Sequence, residues 1–224
     1  MIKINKRLET VAQLVEKDSK IIDVGCDHAL LDIYLADKNQ CSKIIASDNK
    51  SGPLEHAKEN IKNYQVESKI KIKLGNGIET IEEDIDTIII SGMGGLNIIG
   101  ILKYKTYLYK QVKNLILSPN SDVEKVRKEI TKLGFYIENE ILVKDKNIIY
   151  SVILFKRGKR HYTRQQLLFG PTLLEKKDSL FKESVKNQKI AKMHLLEILP
   201  RKYYQRRWEL KKELKYIQKI EEMN

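Results

Sequence analysis

Residues 21–31 read Ile-Ile-Asp-Val-Gly-Cys-Asp-His-Ala-Leu-Leu, and this stretch decides the fold. Ile21, Ile22 and Val24 are typical of the end of a buried strand, and Ala29-Leu30-Leu31 is typical of the start of a helix. Gly25 stands at the turn between them, where a glycine lets the backbone approach a ligand closely. Because a new helix points its free N–H groups into the same space, the stretch predicts a ligand-binding turn.

The polar side chains of this turn are those of Asp27 and His28, and no lysine is present to meet a phosphate. A carboxylate and an imidazole suit a cationic or hydroxyl-rich ligand such as S-adenosylmethionine better than the pyrophosphate of a dinucleotide. The alternative is an ordinary strand-to-helix turn. For His28, contact with the carboxylate end of such a cofactor and a hydrogen bond within the turn both stay open.

The charge of the chain is unevenly distributed along its 224 residues, a length that holds one sizeable domain plus an appendage. Residues 156–224 contain 19 Lys and Arg against 8 Asp and Glu, whereas residues 1–155 contain 23 against 22. A basic C-terminal third predicts a polyanionic partner. Biased genomic composition is the alternative, but it would raise the lysine content everywhere and does not explain the asymmetry.

The sequence disfavours a membrane-spanning protein, a protein with a signal peptide and a protein with a cysteine-bound metal cluster. No apolar run is long enough to span a bilayer, and the first residues lack the apolar stretch of a signal peptide. Cys26 and Cys41 are too few for a metal cluster, so we read them as free thiols of a cytosolic protein. We therefore expect a cytoplasmic protein without a membrane partner or a metal ion, and we expect it to be a monomer.

Short isoleucine-rich runs recur along the first 155 residues, with helical patterns between them. The runs lack polar–apolar alternation, as is typical of strands that are buried on both faces. The segment Gly52–Tyr64, for example, places Leu54, Ala57, Ile61 and Tyr64 on one helical face. Strands that alternate with helices predict a parallel sheet. The predicted strands are Ile21–Val24, Ile44–Ser47, Ile70–Leu74, Ile85–Ser91 and Leu115–Ser118.

The end of this region has a different pattern. Only Lys144–Asn147 separates the apolar run Phe135–Val143 from Ile148–Phe155, which is too short for a crossover, so the two runs must form an antiparallel hairpin. Five parallel strands closed by an antiparallel hairpin form the seven-stranded sheet of the α/β, Rossmann-like class I methyltransferases. Most dinucleotide dehydrogenases lack that hairpin.

Further polar or glycine-rich segments follow the predicted strands, where a parallel sheet places its ligands. Asp48 ends the second strand and could accept both hydroxyls of a ribose, although an acid there is often only a helix cap. Gly75-Asn76-Gly77 follows the third strand and could lie beneath a flat ring, or could be a plain turn. Ser91-Gly92-Met93-Gly94-Gly95 follows the fourth and could form a floor where the reactive end of the cofactor meets an acceptor base.

These motifs resemble those of a known family, the bacterial tRNA adenine N1-methyltransferases that modify adenosine 22 in the D arm. The resemblance covers essentially the whole chain. Asn76 departs from it, because relatives often have aspartate there. The stretches that carry it are Lys6-Arg7-Leu8-Glu9-Thr10-Val11-Ala12, Asp23-Val24-Gly25-Cys26-Asp27-His28-Ala29, Gly52-Pro53, Gly75-Asn76-Gly77, Gly92-Met93-Gly94-Gly95, Pro119-Asn120 and Gly170-Pro171.

The resemblance implies a methyltransferase domain, placed at residues 1–160, and a helical, coiled-coil-like tRNA-binding domain at residues 161–224. It implies S-adenosyl-L-methionine as the cofactor and tRNA as the partner. The residues that we expect to bind the cofactor are Arg7, Asp23, Gly25, Asp27, His28, Asp48, Asn49, Gly52, Pro53, Asn76, Gly77, Gly92, Met93 and Gly94.

The C-terminal third agrees on its own evidence. Helical patterns follow Gly170-Pro171 to Leu199, break at Pro200 and resume to about residue 222, which predicts an antiparallel helical hairpin with apolar seams. The segment 201–208 mixes cations with aromatic rings, as surfaces that bind nucleic acid do. Alternatively, Tyr204 and Trp208 pack between the helices and the cations are only solvated. The residues that we expect to contact RNA are Lys156, Arg157, Lys159, Arg160, Arg201, Lys202, Arg206 and Arg207, the first four near the catalytic mouth.

The chemistry follows from the reactants. N1 of a neutral adenine already has a lone pair, so most of the rate should come from alignment with the methyl carbon. Methylation makes the adenine cationic, and we expect Asp27 and Asn120 to face that edge and stabilise the charge. An N1 buried by base pairing must first be exposed, by distortion of the D arm or by base flipping. The rival functions are a nicotinamide or flavin enzyme on a similar sheet and an RNA-binding protein with a vestigial cofactor site.

Overall fold

A computed structural model describes residues 2–222 of the chain, which divides into two compact units, Met1–Tyr162 and Thr163–Asn224. Unit 1 is an α/β layer structure around one seven-stranded sheet, and the part of unit 2 that is described is all-helical. The predicted fold class, an α/β Rossmann-like seven-stranded sheet followed by a helical region, is confirmed.

The sheet of unit 1 has the strand order β3-β2-β1-β4-β5-β7-β6. The first five strands along the chain pair in parallel, and β7 pairs antiparallel with both β5 and β6. The order reverses between β1 and β4, which is where open α/β sheets bind ligands. The strands are β1 Ser19–Val24, β2 Cys41–Asp48, β3 Ile70–Leu74, β4 Thr87–Ser91, β5 Asn114–Ser118, β6 Phe135–Asp145 and β7 Ile148–Arg157.

Isoleucine-rich strands bury both faces of this sheet, because successive side chains point to opposite sides. Ile21 belongs to one apolar cluster and Ile22 to the other, and Ile44 and Ile45 divide in the same way. Residues of α1, α2 and α3 complete the first cluster, and residues of α4 and α5 complete the second. The helices of unit 1 are α1 Lys6–Gln13, α2 Leu30–Asp37, α3 Ser51–Asn63, α4 Gly95–Lys103 and α5 Val123–Lys132.

The structure corrects several details of the sequence prediction in unit 1. The hairpin strands extend to a two-residue connection, Lys146 and Asn147, and both residues have positive φ, as the common tight hairpin turn requires. Cys41, which the polar residues around it place in a loop, begins β2 instead. Tyr64 follows the end of α3 and is 44% exposed, so it does not share the buried face of Leu54 and Ile61.

Unit 2 contains a helical hairpin preceded by two short helices. Ion pairs join Lys189 to Glu221 and Lys192 to Glu213, so positions that ascend along α8 meet positions that descend along α9, and the hairpin is antiparallel. The helical pattern after Gly170 is interrupted, because the Asp178 side chain caps a new helix by accepting from the Phe181 N–H. The helices are α6 Arg164–Phe169, α7 Pro171–Lys176, α8 Ser179–Ile198 and α9 Tyr204–Glu222.

Candidate functional site

The turn after β1 is held in an unusual backbone shape. Gly25, Asp27 and Ala29 have φ values of 79°, 51° and 54°, so three of five successive residues adopt the left-handed region. The backbone N–H groups of Gly25 and Cys26 donate to the carbonyl oxygen of Ser47 on β2, at 2.7 and 3.1 Å. The positive φ of Gly25 favours glycine, and a Cβ at this position would also force the end of the Met93 side chain to move.

Asp48 ends β2 beside this turn, as the sequence predicts. One carboxylate oxygen accepts from the Lys50 N–H at 3.0 Å and the other from the Asp27 N–H at 3.4 Å. Each oxygen of an ionised carboxylate can accept a further hydrogen bond. Asp48 therefore caps the next segment and still offers acceptors to a ligand, so its structural and ligand-binding interpretations are compatible.

A cavity of about 500 Å³ opens at this edge of the sheet. Asp23, Asp27 and Asp48 all reach it, together with Arg7 of the N-terminal helix. This volume lies within the range of small-molecule sites. Its lining residues are Asn5, Arg7, Leu8, Asp23, Gly25, Cys26, Asp27, His28, Leu30, Leu31, Asp48, Asn49, Lys50, Pro53, Ser91, Gly92 and Met93.

A second cavity, of about 520 Å³, shares Gly25, Asp48, Asn49, Lys50 and Met93 with the first. The two are therefore neighbouring lobes of one cleft along the carboxyl edge of the sheet. The second lobe is also lined by Val24, Gly75, Asn76, Gly77, Leu96, Asn97, Gly100 and Ile101. Twelve of the fourteen residues expected to bind the cofactor line this cleft, and Gly52 and Gly94 are not among its lining residues.

Asn120 and Arg7 are tied together beside the first lobe. The Arg7 Nη1 donates to the Asn120 Oδ1 at 2.8 Å, and the Asn120 Nδ2 donates to the Gly92 carbonyl oxygen. The guanidinium of Arg7 also lies 4.6 Å from the centre of the Tyr150 ring. These contacts fix the orientation of the Asn120 amide, with its oxygen towards Arg7, and they anchor α1 over the loop after β4.

The acids of the site differ in burial. The Asp27 side chain is 70% exposed, and its carboxylate lies 3.7 Å from Nε2 of His28. Asp23 is almost fully buried, and desolvation raises the pKa of its carboxyl group to about 7. Burial also raises the pKa of the Cys26 thiol, which lines the cleft. The thiol is therefore neutral and unsuited to act as a nucleophile.

The basic segment 156–160 does not lie near the cleft, which corrects the sequence prediction. In the register of β7 against β5, Lys156 lies opposite Asn114, which is the first residue of β5. The cleft lies at the other end, where the parallel strands have their carboxyl ends. Because β7 runs antiparallel to β5, its end reaches the opposite edge, roughly 13–16 Å away across a five-residue strand. The prediction treated nearness in sequence to the last strand as nearness to the site.

Several of these cations also have partners within the protein. Lys156 pairs with Glu16 at 2.9 Å, and Arg160 lies over the Tyr136 ring. The guanidinium of Arg157 donates to the carbonyl oxygens of Val112 and Tyr109 at 3.0 and 2.7 Å. Arg157 therefore ties β7 to the segment before β5.

The basic segment of unit 2 is divided between structural and exposed roles. Arg207 donates to the carbonyl oxygens of Leu196 and Leu199 and so caps the end of α8. Tyr204 and Trp208 are 70% and 56% exposed, so the interpretation that they pack between the helices is wrong. Lys212 lies 3.9 Å from the Trp208 ring centre, whereas Arg206 pairs with Glu209 at 3.0 Å.

Sequence reasoning missed several residues of the cleft. Asn5 caps α1 by accepting from the Leu8 N–H at 2.9 Å, and both residues line the first lobe. An asparagine that precedes a helix is a recognisable cap, and it could have placed α1. Leu96, Asn97 and Ile101 come from α4, and their spacing could have indicated that one face of that helix borders the site.

Five parallel strands closed by an antiparallel hairpin, with glycine turns and acids at their carboxyl ends, define a Rossmann-like class I methyltransferase. Comparison with known proteins makes this more specific. A family model described as a methyltransferase domain matches residues 4–153. The chain therefore belongs to the methyltransferase-domain family, and within it to the group of the tRNA (adenine(22)-N(1))-methyltransferases.

Three relatives illustrate the likeness. A tRNA (adenine(22)-N(1))-methyltransferase of Bacillus subtilis is 29% identical over 80% of this chain and 79% of the relative. A Streptococcus agalactiae protein of the NADB-Rossmann superfamily is 33% identical, with a TM-score of 0.92 over 98% of this chain and 97% of the other. TrmK of M. capricolum, solved with the cofactor product S-adenosyl-homocysteine, is 26% identical, with a TM-score of 0.86 over 97% and 98% of the two chains.

Two features of residues 2–222 concern the expected absence of a membrane partner and of a metal ion. In that part of the chain, no helix has the length and apolar character needed to cross a membrane. Among the same residues, histidine, cysteine, aspartate and glutamate side chains form no group of three that could hold a metal ion.

Proposed function

We propose that the protein transfers a methyl group from S-adenosyl-L-methionine to N1 of adenosine 22 in the D arm of tRNA. The observation that carries this proposal is the acid-lined cleft at the carboxyl edge of the sheet, in a chain that matches tRNA (adenine(22)-N(1))-methyltransferases over most of its length. The cofactor product bound to the M. capricolum relative supports the same cofactor for this chain.

The residues of the cleft fit this cofactor. Asp48 keeps free acceptor capacity for the two ribose hydroxyls, and the buried Asp23 is suited to a cationic ammonium. Arg7 can bind a carboxylate, since its guanidinium already lies at the cavity wall. Asn76 and Gly77 line the second lobe, where a flat ring could lie against the Gly77 backbone.

When bound, the cofactor supplies a methyl group activated by attachment to a sulfonium cation. The adenine N1 needs no general base, because its lone pair is free in the neutral ring. The chain therefore contributes mainly alignment and exclusion of water. In the loop after β4, Gly92 has a φ of 84°, and a Cβ there would lie 3.0 Å from the Arg7 guanidinium, so glycine leaves room for Arg7 at the cleft wall.

Asp27 and Asn120 are the side chains that we propose to face the acceptor base. The Asn120 oxygen already accepts from Arg7, but a carbonyl oxygen has a second lone pair that can accept from the exocyclic amino group of adenine. Asp27 is exposed at the mouth and can stabilise the positive charge that develops on the ring. Neither residue needs to move a proton in this role.

The helical unit supports tRNA as the substrate. Residues 156–224 carry most of the excess positive charge, and Tyr204 and Trp208 leave their rings exposed beside cations. Phosphates bind such cations, and unpaired bases stack on such rings. Base pairing buries N1, so we propose that the D arm is distorted or the base is flipped before transfer. A tRNA substrate also supports the expected cytoplasmic location, and a monomer stays a prediction.

The direct test is methylation of transcribed tRNA with methyl-labelled S-adenosyl-L-methionine, followed by mapping of the modified nucleotide. We expect label at adenosine 22 and none in a matched transcript with guanosine at that position. Label elsewhere, or equal labelling of both transcripts, would contradict the proposed acceptor. Cofactor binding without any methylation of tRNA would favour the vestigial-site alternative.

A further inference from the structure

A second aspartate lies behind the cleft, and the proposed chemistry does not use it. Asp32 stands in the first turn of α2 and is fully buried, with 0% of its surface exposed. Its side chain meets that of Asp23, which is 5% exposed and lines the first lobe. An ionised carboxylate is very costly to bury without a partner, and two adjacent ones are costlier still.

The contacts of Asp32 show that the Asp23–Asp32 pair lacks a hydrogen-bond donor. The Asp32 carboxylate lies against that of Asp23, and no side-chain or backbone donor from elsewhere in residues 2–222 satisfies either of its oxygens by hydrogen-bond geometry. Two ionised carboxylates cannot hydrogen-bond to each other, because both are acceptors only. One proton between them removes the repulsion and turns an unpartnered oxygen into a donor.

The neighbouring ionisable groups do not supply a positive charge to Asp32. Asp48 on β2 adds to the negative field at Asp23, and burial holds the Cys26 and Cys41 thiols in their neutral form. Desolvation and the charge of Asp23 raise the pKa of Asp32. Arg7, His28 and Lys50 line the same cavity as Asp23, and none of them hydrogen-bonds to Asp32.

We propose that Asp32 is a positioning residue. Its carboxyl group stays protonated at neutral pH and donates a hydrogen bond to the Asp23 carboxylate, so that Asp23 keeps its negative charge for the cationic end of the ligand. This inference rests on the proposed function for the identity of the ligand. The proton stays on Asp32 during binding, and Asp32 does not touch the ligand or the reacting atoms.

The pH dependence of ligand binding follows from this arrangement. Below the Asp23 pKa of about 7, Asp23 is neutral, and binding of a cationic group must expel its proton. The affinity should therefore rise with pH up to about 7, by at most about tenfold per pH unit, and then level off. Without a donor at position 32, this rise should shift to higher pH.

The test compares two substitutions of similar volume, Asp32→Asn and Asp32→Leu. Asparagine can donate an N–H to Asp23 without carrying charge, whereas leucine cannot donate. Calorimetric titration with S-adenosylhomocysteine should give Asp32→Asn an affinity within about threefold of the parent, and Asp32→Leu an affinity at least about tenfold weaker at pH 7. Thermal unfolding without ligand checks that both variants fold.

Equal weakening in both variants would overturn the proposal, because it would mean that the charge of Asp32 is needed. Parent-like binding and pH dependence in Asp32→Leu would also overturn it. If Asp32→Leu fails to fold, Asp32→Asn remains decisive, since an ionised Asp32 would make that change alter both the affinity and the pH profile.

An infrared measurement tests the proton without any ligand. The free parent protein at pH 8.5 should show the carbonyl stretch of a protonated carboxyl group that Asp32→Asn removes and Asp48→Asn keeps. Absence of that band from the parent overturns the proposal. Failure of the parent to bind S-adenosylhomocysteine would count against the proposed function instead, and the infrared result would still decide the state of Asp32.

Discussion

The two units of this protein use charge and apolar burial in opposite ways. Unit 1 places two apolar clusters on the faces of its sheet, and the first 155 residues have nearly balanced charge. The hairpin of unit 2 buries few apolar side chains, such as Phe181, Leu210 and Ile217, and carries many exposed cations. The comparison indicates that unit 1 holds a preformed small-molecule cleft, whereas unit 2 presents a surface suited to a polyanion.

Separating the units should have the largest effect. A fragment of residues 1–162 should fold, because the sheet and both apolar clusters lie within it, with Tyr162 packed at the edge of the second cluster. It should bind S-adenosylhomocysteine with an affinity within about threefold of the full chain, but lose tRNA affinity by about a hundredfold or more. Calorimetry and filter binding measure the two affinities, and circular dichroism checks the fold.

If this fragment methylated tRNA at the rate of the full chain, the assignment of tRNA binding to unit 2 would be wrong. The excess charge of residues 156–224 would then be irrelevant to substrate binding.

Asp48→Ala should have the next largest effect, and only on the small-molecule cleft. The variant should lose roughly 2–4 kcal/mol of cofactor binding, because two ribose hydroxyls lose a charged acceptor. Affinity for tRNA should not change, since Asp48 belongs to unit 1 and carries negative charge. Asp48→Asn, which keeps one acceptor oxygen, should lose less. A parent-like cofactor affinity in Asp48→Ala would exclude Asp48 as the ribose ligand.

Glu213→Leu should affect unit 2 alone. Glu213 is 2% exposed and pairs with Lys192 at 2.6 Å, so its removal leaves a largely buried ammonium without a counter-charge. We expect a loss of about 1–3 kcal/mol in the unfolding free energy of the hairpin. Fluorescence of Trp208, the single tryptophan of the chain, follows this unfolding in denaturant.

The matched control for Glu213 is Glu221→Gln, because the Glu221 side chain is 40% exposed in its pair with Lys189. Its loss should stay below about 0.5 kcal/mol. Equal losses in the two variants would mean that burial of Glu213 adds nothing, and weaker binding of S-adenosylhomocysteine in either would mean that the units are energetically coupled.

The smallest expected effect distinguishes the two basic segments. The double change Arg201→Gln and Lys202→Gln should flatten the salt dependence of tRNA binding by about one to two units on a log–log plot. Lys159→Gln with Arg160→Gln removes the same charge at the opposite edge of the sheet from the cleft, and should flatten it less. A larger effect of the second pair would place the RNA surface on unit 1.

The sheet could be predicted from the sequence because burial on both faces leaves a direct signal. Ile70–Leu74 is bounded as predicted, and the other strands differ from the prediction only at their ends. The hairpin followed from a connection too short for a crossover. The acids and glycines at the strand ends could be predicted to form one site, because a parallel sheet brings the carboxyl ends of its strands to one edge.

What the sequence could not predict depends on contacts between distant residues. Arg207 looks like a phosphate ligand in its basic segment, but its use as a cap for α8 depends on how the hairpin closes. Asp32 is charged, and charged residues are usually exposed, so nothing local indicated its burial beside Asp23. The position of Lys156 required the direction of β7 to be followed to its end.

Ala29 has consequences for the cost of binding. It holds a left-handed backbone that glycine would adopt without strain, and its methyl group is fully buried. Alanine restricts the unfolded chain more than glycine does, so the turn gives up fewer alternative conformations on folding. The strain of the left-handed backbone at Ala29, about 1 kcal/mol, is thus a cost of folding and not of ligand binding. A ligand that arrives afterwards finds the turn already ordered by its own backbone hydrogen bonds, so little of the binding free energy is lost on fixing that backbone.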